Sequence, residues 1–167
     1  MWEEERGEAP CYLSHRGNES REALEQRRDM NENRYTFEPI GVIRSPLTSR
    51  KEAPRQGDEG APEAWLELIA PVAEGLDGIT AGDELIVLTW LHRARRDVLK
   101  VHPRRRREAS LIGVFATRSP DRPNPVGLHR VAVLEVAGQR LRVAPMEAID
   151  GTPIIDIKPV LRNIEER

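Results

Sequence analysis

At 167 residues, with 38% apolar and 32% charged side chains and a net charge of −2, the chain has the length of one domain with a modest core. No apolar run approaches the roughly 20 residues that cross a bilayer, and the acidic stretch Met1 to Pro10 lacks the basic and apolar regions of a secretory signal. One cysteine, Cys11, makes neither an internal disulfide nor a cysteine-based zinc site, so the expectation is a cytoplasmic protein without a structural metal or a membrane partner.

Charge is unevenly placed. Residues 1–34 carry nine acids and six arginines, whereas Leu91 to Arg130 carries eleven Lys and Arg against Asp97, Glu108 and Asp121, a net of +8. A near-neutral domain with one basic segment attracts a polyanion locally. Solvated loop is the competing reading of the same arginines. Residues 1–34 are polar, and the one helical stretch there, Ser20 to Met30, has Ala23, Leu24 and Met30 as its only apolar positions. That stripe is too thin to bury much, so a loosely docked or disordered extension is expected. The domain is expected over 35–167.

The elements follow in chain order. Phe37 to Ser45 reads as a strand ended by Pro46, and 46–63 as a long loop rich in Pro, Gly and charge, a kind of segment that is usually functional or disordered. Trp65 to Ala70 alternates like a half-buried strand, Val72 to Ile79 reads as a helical turn, and Glu84 to Trp90 is a buried strand delivering His92. Arg93 to Ala109 is a basic, mobile excursion. Ile112 to Thr117, Val126 to Val136, Arg140 to Met146 and Ile154 to Ile157 complete the strands, the middle two joined by a hairpin loop containing Gly138. Many short strands with turn signals and no regular helices predict an all-β fold: a small, closed or half-closed single-sheet barrel.

Three constellations carry candidate chemistry. In Gly113 to Gly127 a strand enters a loop stiffened by three prolines, which limits the freedom of Arg118, Arg122 and Asn124. Two guanidiniums there suit a carboxylate or phosphate; a rigid surface turn is the equal alternative. In Asp150-Gly151-Thr152-Pro153 the default reading is a turn-forming Asp, while Asp156 and Lys158 lie on one strand face and are able to pair. The third is Pro54-Arg55-Gln56 with His92. Phosphate loops and the Rossmann glycine motif are absent.

Gly41-Val-Ile-Arg-Ser-Pro46, Pro54-Arg55-Gln56, Gly113-Val-Phe-Ala-Thr-Arg-Ser119, Arg122-Pro-Asn-Pro-Val-Gly127 and Asp150-Gly-Thr-Pro with Asp156-Ile-Lys-Pro159 resemble, in that order, the TsaA-like (YaeB, TrmO) family. The resemblance runs from about Phe37 to Leu161. It implies a β-barrel methyltransferase, usually a homodimer, that uses S-adenosyl-L-methionine to methylate N6 of threonylcarbamoyl-adenosine beside the anticodon of tRNA. It further implies that Pro54, Arg55, Gln56, His92, Arg118 and Leu128 line the cofactor pocket together with Ala144, Pro145, Met146 and Glu147. Arg118 then suits the methionyl carboxylate, and Asp150 or His92 is the group that assists loss of the acceptor proton. Arg93, Arg95, Arg96, Arg104, Arg105, Arg106, Arg107 and Arg122 are the expected nucleic-acid contacts. Well-known bacterial members carry a further C-terminal domain. The competing readings are a methyltransferase for a small molecule or protein, and a cofactor-binding module without catalysis.

Overall fold

A computed structural model describes residues 35–102 and 110–161. The helix expected at Ser20 to Met30, and Arg104, Arg105, Arg106 and Arg107, lie outside the described residues. Contacts divide the chain into Met1–Thr36 and Phe37–Arg167, and the second unit carries the fold.

Eight strands occur among the described residues: β1 (Gly41–Arg44), β2 (Ala64–Leu68), β3 (Glu84–Trp90), β4 (Lys100–Val101), β5 (Ile112–Gly113), β6 (Val126–Ala137), β7 (Arg140–Ala144) and β8 (Pro153–Pro159). Six of them close a barrel in the order β1-β2-β7-β6-β3-β8, and β4 and β5 form a separate two-stranded hairpin. Every pairing is antiparallel. The mainly-β architecture expected from the short strands is the one observed. The ring has one short seam, where β1 meets β8 through the pairs Gly41–Ile154 and Val42–Pro153, flanked by the Ile40 amide donating to Ile154 and the Ile43 amide donating to Thr152, both at 2.9 Å.

Period-two alternation builds the interior. Ile43, Leu66, Leu85, Val87, Val131, Val133, Leu141, Val143 and Ile154 are buried, each on the inward side of its strand, while alternate residues meet solvent. Truncating one such Leu to Ala costs about 2–5 kcal/mol. Leu76, at the end of the 3-10 turn Ala70–Leu76, joins the same core. Gly41 lets β1 approach β2 closely: a Cβ there would lie 2.9 Å from the Leu68 Cα. Gly138 takes φ +61° and turns β6 into β7, with Ala137 facing Arg140 across a tight loop that favours positive φ.

Several boundaries differ from the sequence expectation. The first strand begins at Gly41 rather than Phe37, and Phe37 is exposed. Ile112 to Thr117 is a two-residue strand followed by a 3-10 turn, Val114–Ala116, closed by Thr117 Oγ1 donating to the Val114 carbonyl at 2.9 Å. The basic excursion contains β4, which pairs with β5. Lys158 and Asp156 pair at 2.8 Å, as their spacing predicts; both are exposed, so the pair contributes at most about 1 kcal/mol.

Candidate functional site

One mouth of the barrel opens into a cleft of about 1220 Å³, built by segments far apart in sequence. The loop after β1 brings Pro54, Arg55 and Gln56, the end of β3 brings His92, the proline-rich loop brings Arg118, β6 brings Leu128, and the segment after β7 brings Glu147. Arg93, Arg95 and Arg122 reach the same cleft.

The loops are fixed by hydrogen bonds that no local sequence pattern announces. Asp121 Oδ1 accepts from Arg50 Nη2 at 2.8 Å and from the Arg95 amide at 2.9 Å, so one carboxylate joins three loops. Burial works to raise its pKa, but the Arg50 guanidinium and the Arg95 amide outweigh burial and hold it below the usual value. The proline-rich loop is braced from within. Arg122 donates to the carbonyls of Ser119 at 2.8 Å, Val114 at 3.1 Å and Thr117. This Arg122 was expected at the RNA surface; its guanidinium is instead engaged by its own loop, since three carbonyls of a tight turn converge on it. The amide of Leu91 donates to Pro125 at 2.8 Å and ties the far end of the loop to the end of β3.

Arg118 is exposed and free of such bonds: among the described residues no hydrogen bond to its guanidinium is found. Its charge is felt by Glu147. Burial works to raise the Glu147 carboxyl, yet the hydrogen bond and charge of His129, its own backbone amide and Arg118 hold it below the usual range, so it is ionised at neutral pH. His92 is shifted downward as well. Partial burial and then the Arg93 charge lower its pKa, which keeps the imidazole neutral and able to accept a proton.

Five expected residues sit elsewhere. Asp150 does not line the cleft. Its Oδ1 accepts the Ser45 amide at 3.1 Å, its own amide donates to Leu47 at 2.7 Å, and Gly151 follows at φ +73°: a turn-forming Asp, as its local sequence suggests. Met146 is fully buried in the core, and its amide donates to Pro62. Ala144 and Pro145 are absent from the cleft wall; Pro145 underlies Gly57, where a Cβ would lie 2.9 Å from its Cγ. That contact seats the Pro54-Arg55-Gln56 loop against the segment carrying Glu147. Arg96, expected among the nucleic-acid contacts, stacks over Trp90 at 5.1 Å.

The sequence reading missed His129. It is 5% exposed, with Nδ1 2.8 Å from Glu147 Oε1 and Nε2 2.9 Å from Thr89 Oγ1. Its alternation with Gly127, Val131 and Val133, all inward on β6, was the available signal. Among the described residues no group of three or more His, Cys, Asp or Glu side chains is placed to hold a metal ion, and no helix is long and apolar enough to cross a membrane.

The chain is similar to known proteins. A "Probable S-adenosyl-L-methionine-binding protein" of Methanothermobacter thermautotrophicus is 43% identical over 81% of this chain and 97% of the relative. The "tRNA (adenine(37)-N6)-methyltransferase" of Escherichia coli is 38% identical over 76% of this chain and 58% of its own length. The crystal structure of TrmO from Pseudomonas aeruginosa superposes with a TM-score of 0.62 at 31% identity, covering 77% of this chain and 57% of that one. The chain thus spans somewhat over half the length of those two proteins. Residues 42–166 match the family model for the tRNA-methyltransferase O N-terminal domain, and the chain belongs to that family.

Proposed function

We propose that the chain transfers a methyl group from S-adenosyl-L-methionine to N6 of an adenosine in tRNA, the acceptor being threonylcarbamoyl-adenosine beside the anticodon. The observation that carries the reading is the cleft's pairing of an open guanidinium, Arg118, with an ionised carboxylate, Glu147. The donor has one carboxylate and two cationic centres, so this donor set fits it. Leu88, Leu91 and Leu128 on the same walls supply apolar surface for its remaining atoms. At about 1220 Å³ the cleft exceeds the usual range of roughly 300–1,000 Å³ for a single ligand, which leaves room for an acceptor base.

When bound, the donor supplies a methyl group made electrophilic by its sulfonium. The chain's own residues then orient and dehydrate the reacting pair. Arg118 anchors one end, Glu147 faces the positive centres, and neutral His92 receives the proton of the acceptor nitrogen, a role worth about 10²–10⁴ in rate. His92 is preferred to Asp150 because the Asp150 carboxylate caps the Ser45 amide away from the cleft. Arg93, Lys100 and the arginines 104–107 form the contact to the RNA backbone. The apolar side chains Phe115, Leu99 and Leu111, of which Phe115 is 79% exposed, favour a homodimer through this end of the barrel. Light scattering on the intact chain checks the dimer, and a monomer refutes it. A reaction on tRNA would place the protein in the cytoplasm.

The deciding experiment incubates the protein with unmodified and threonylcarbamoylated tRNA and a donor carrying a deuterated methyl group, followed by nucleoside mass spectrometry. Label on N6 of the modified adenosine supports the reading. Label absent from RNA but present in a small molecule or protein overturns the substrate, and no turnover at all overturns catalysis.

A further inference from the structure

The most deeply buried titratable group at the cleft is one that methyl transfer, as set out above, leaves idle. His129 projects inward from β6 and is bridged on both ring nitrogens, by Glu147 Oε1 at 2.8 Å and by Thr89 Oγ1 at 2.9 Å. Thr89 comes from β3 and is fully buried. The polar line crosses the mouth of the barrel, and no buried side-chain nitrogen or oxygen among the described residues lacks a partner.

The line has an internal logic. A carboxylate only accepts, so Nδ1 carries a hydrogen, while Nε2 meets the Thr89 hydroxyl, which is able to donate or accept. Each member of the line thereby has a partner. Space for it comes from Gly127, which lies opposite Thr89 in the β3–β6 register; a Cβ at Gly127 would lie 2.7 Å from His129 Nε2 and closer still to Thr89 Oγ1. With Oε1 engaged by His129, the second oxygen, Oε2, lies on the side of Gly57, the residue after Gln56 of the cleft wall. Glu147 is only 20% exposed, so its charge is screened less than that of a surface acid.

We propose that the Thr89–His129–Glu147 line is the charge selector of the cleft, holding the Glu147 carboxylate toward the positive sulfonium of the methyl donor so that the donor is taken in preference to the neutral thioether left after transfer. This rests on the methyl-donor reading of the cleft. Donor and by-product differ by one methyl group and one positive charge. Apolar walls and the Arg118 anchor treat the two nearly alike, whereas a fixed, poorly screened carboxylate does not. His129 is therefore a positioning residue: it acts through Glu147, and its consequence is relief from inhibition by the spent donor.

Calorimetry with S-adenosylmethionine and S-adenosylhomocysteine as separate probes tests this on the whole chain. The wild type is expected to favour the cationic probe. His129→Leu removes the donated hydrogen bond to a charged group, which is worth about tenfold or more in affinity. It should weaken S-adenosylmethionine by about that factor while S-adenosylhomocysteine stays within about twofold. His129→Asn keeps an N–H near the Nδ1 position and should restore most of the selectivity. Glu147→Gln is nearly isosteric, so it tests the charge even if the His129 variants fold poorly, and it should abolish the preference. An unchanged ratio of the two affinities in Glu147→Gln, or an equal loss for both probes in a folded His129→Leu, overturns the selector and leaves the methyl-donor reading standing. A wild type that binds neither probe overturns both.

Discussion

Replacing Gly127 by Ala gives the sharpest test of the buried line, because one added carbon meets three named groups. It would fall 2.7 Å from His129 Nε2, 3.0 Å from Leu91 Cδ2 and closest of all to Thr89 Oγ1. Overpacking a tight site costs about 1–3 kcal/mol, and parting Thr89 from His129 leaves buried polar groups at a cost of about 1–3 kcal/mol. Ala gains about 0.5–1 kcal/mol over Gly in a strand because the unfolded chain has less freedom to lose. The net is a destabilisation of about 1–5 kcal/mol, and a domain of this size loses roughly 3–5 °C in Tm per kcal/mol. Thermal unfolding followed by circular dichroism should therefore show a fall of about 3 °C or more. Gly75→Ala is the control, since no atom lies within 4 Å of its added carbon and its Tm should hold or rise slightly. A Gly127→Ala protein that melts with the wild type would show that the mouth has slack and that the line is not tightly held.

Other outcomes follow from the cleft. Arg118→Ala removes a charge-assisted contact and should weaken S-adenosylmethionine binding by roughly tenfold to a hundredfold in calorimetry; unchanged affinity in a folded variant removes Arg118 from the pocket. Burial and the Arg93 charge lower the His92 pKa, so activity that needs neutral His92 is kept as pH falls through the usual histidine range and lost only below the lowered value. Arg93→Ala removes one of those causes and should move the acid limb of the kcat/KM profile upward in pH; an unmoved limb assigns the proton to another group. Changing residues 104–107 together to Ala should flatten the salt dependence of tRNA binding by roughly 0.7–0.9 for each phosphate no longer neutralised, with donor affinity unaltered; an unchanged slope separates that run from the RNA.

Strands that span the barrel were readable because burial imposes their alternation: β3 occupies the expected Glu84–Trp90, and β6 extends one residue beyond expectation, to Ala137. The hairpin of β4 and β5 was not, since two residues per strand carry no period, and a basic composition reads as loop. The motif residues of the cleft were recognisable one by one, but their assembly depends on Asp121, whose side-chain partner Arg50 lies 71 residues away; no window of sequence holds both. Asp150 and Arg122 show a different limit. Each has a side chain suited to chemistry, and each is captured by backbone groups within hydrogen-bond reach, a competition that composition does not display. His129 was hidden by being a polar residue at an apolar register.

The strand order also bears on how the chain is made. Synthesis delivers β1 and β2 first, and they can pair at once. The next barrel strand, β3, has no partner among them: its neighbours are β6 and β8, and the free side of β2 waits for β7. Until residue 126 and beyond have left the ribosome, the nascent chain therefore presents the apolar face and the open edges of β3 with nothing to cover them, and the seam at Gly41–Ile154 closes last of all. Such edges invite pairing between neighbouring nascent chains. A protein of this topology should be sensitive to translation speed and chaperone supply over its middle third, and to premature termination before β6 more than to any loss of stability in the finished barrel.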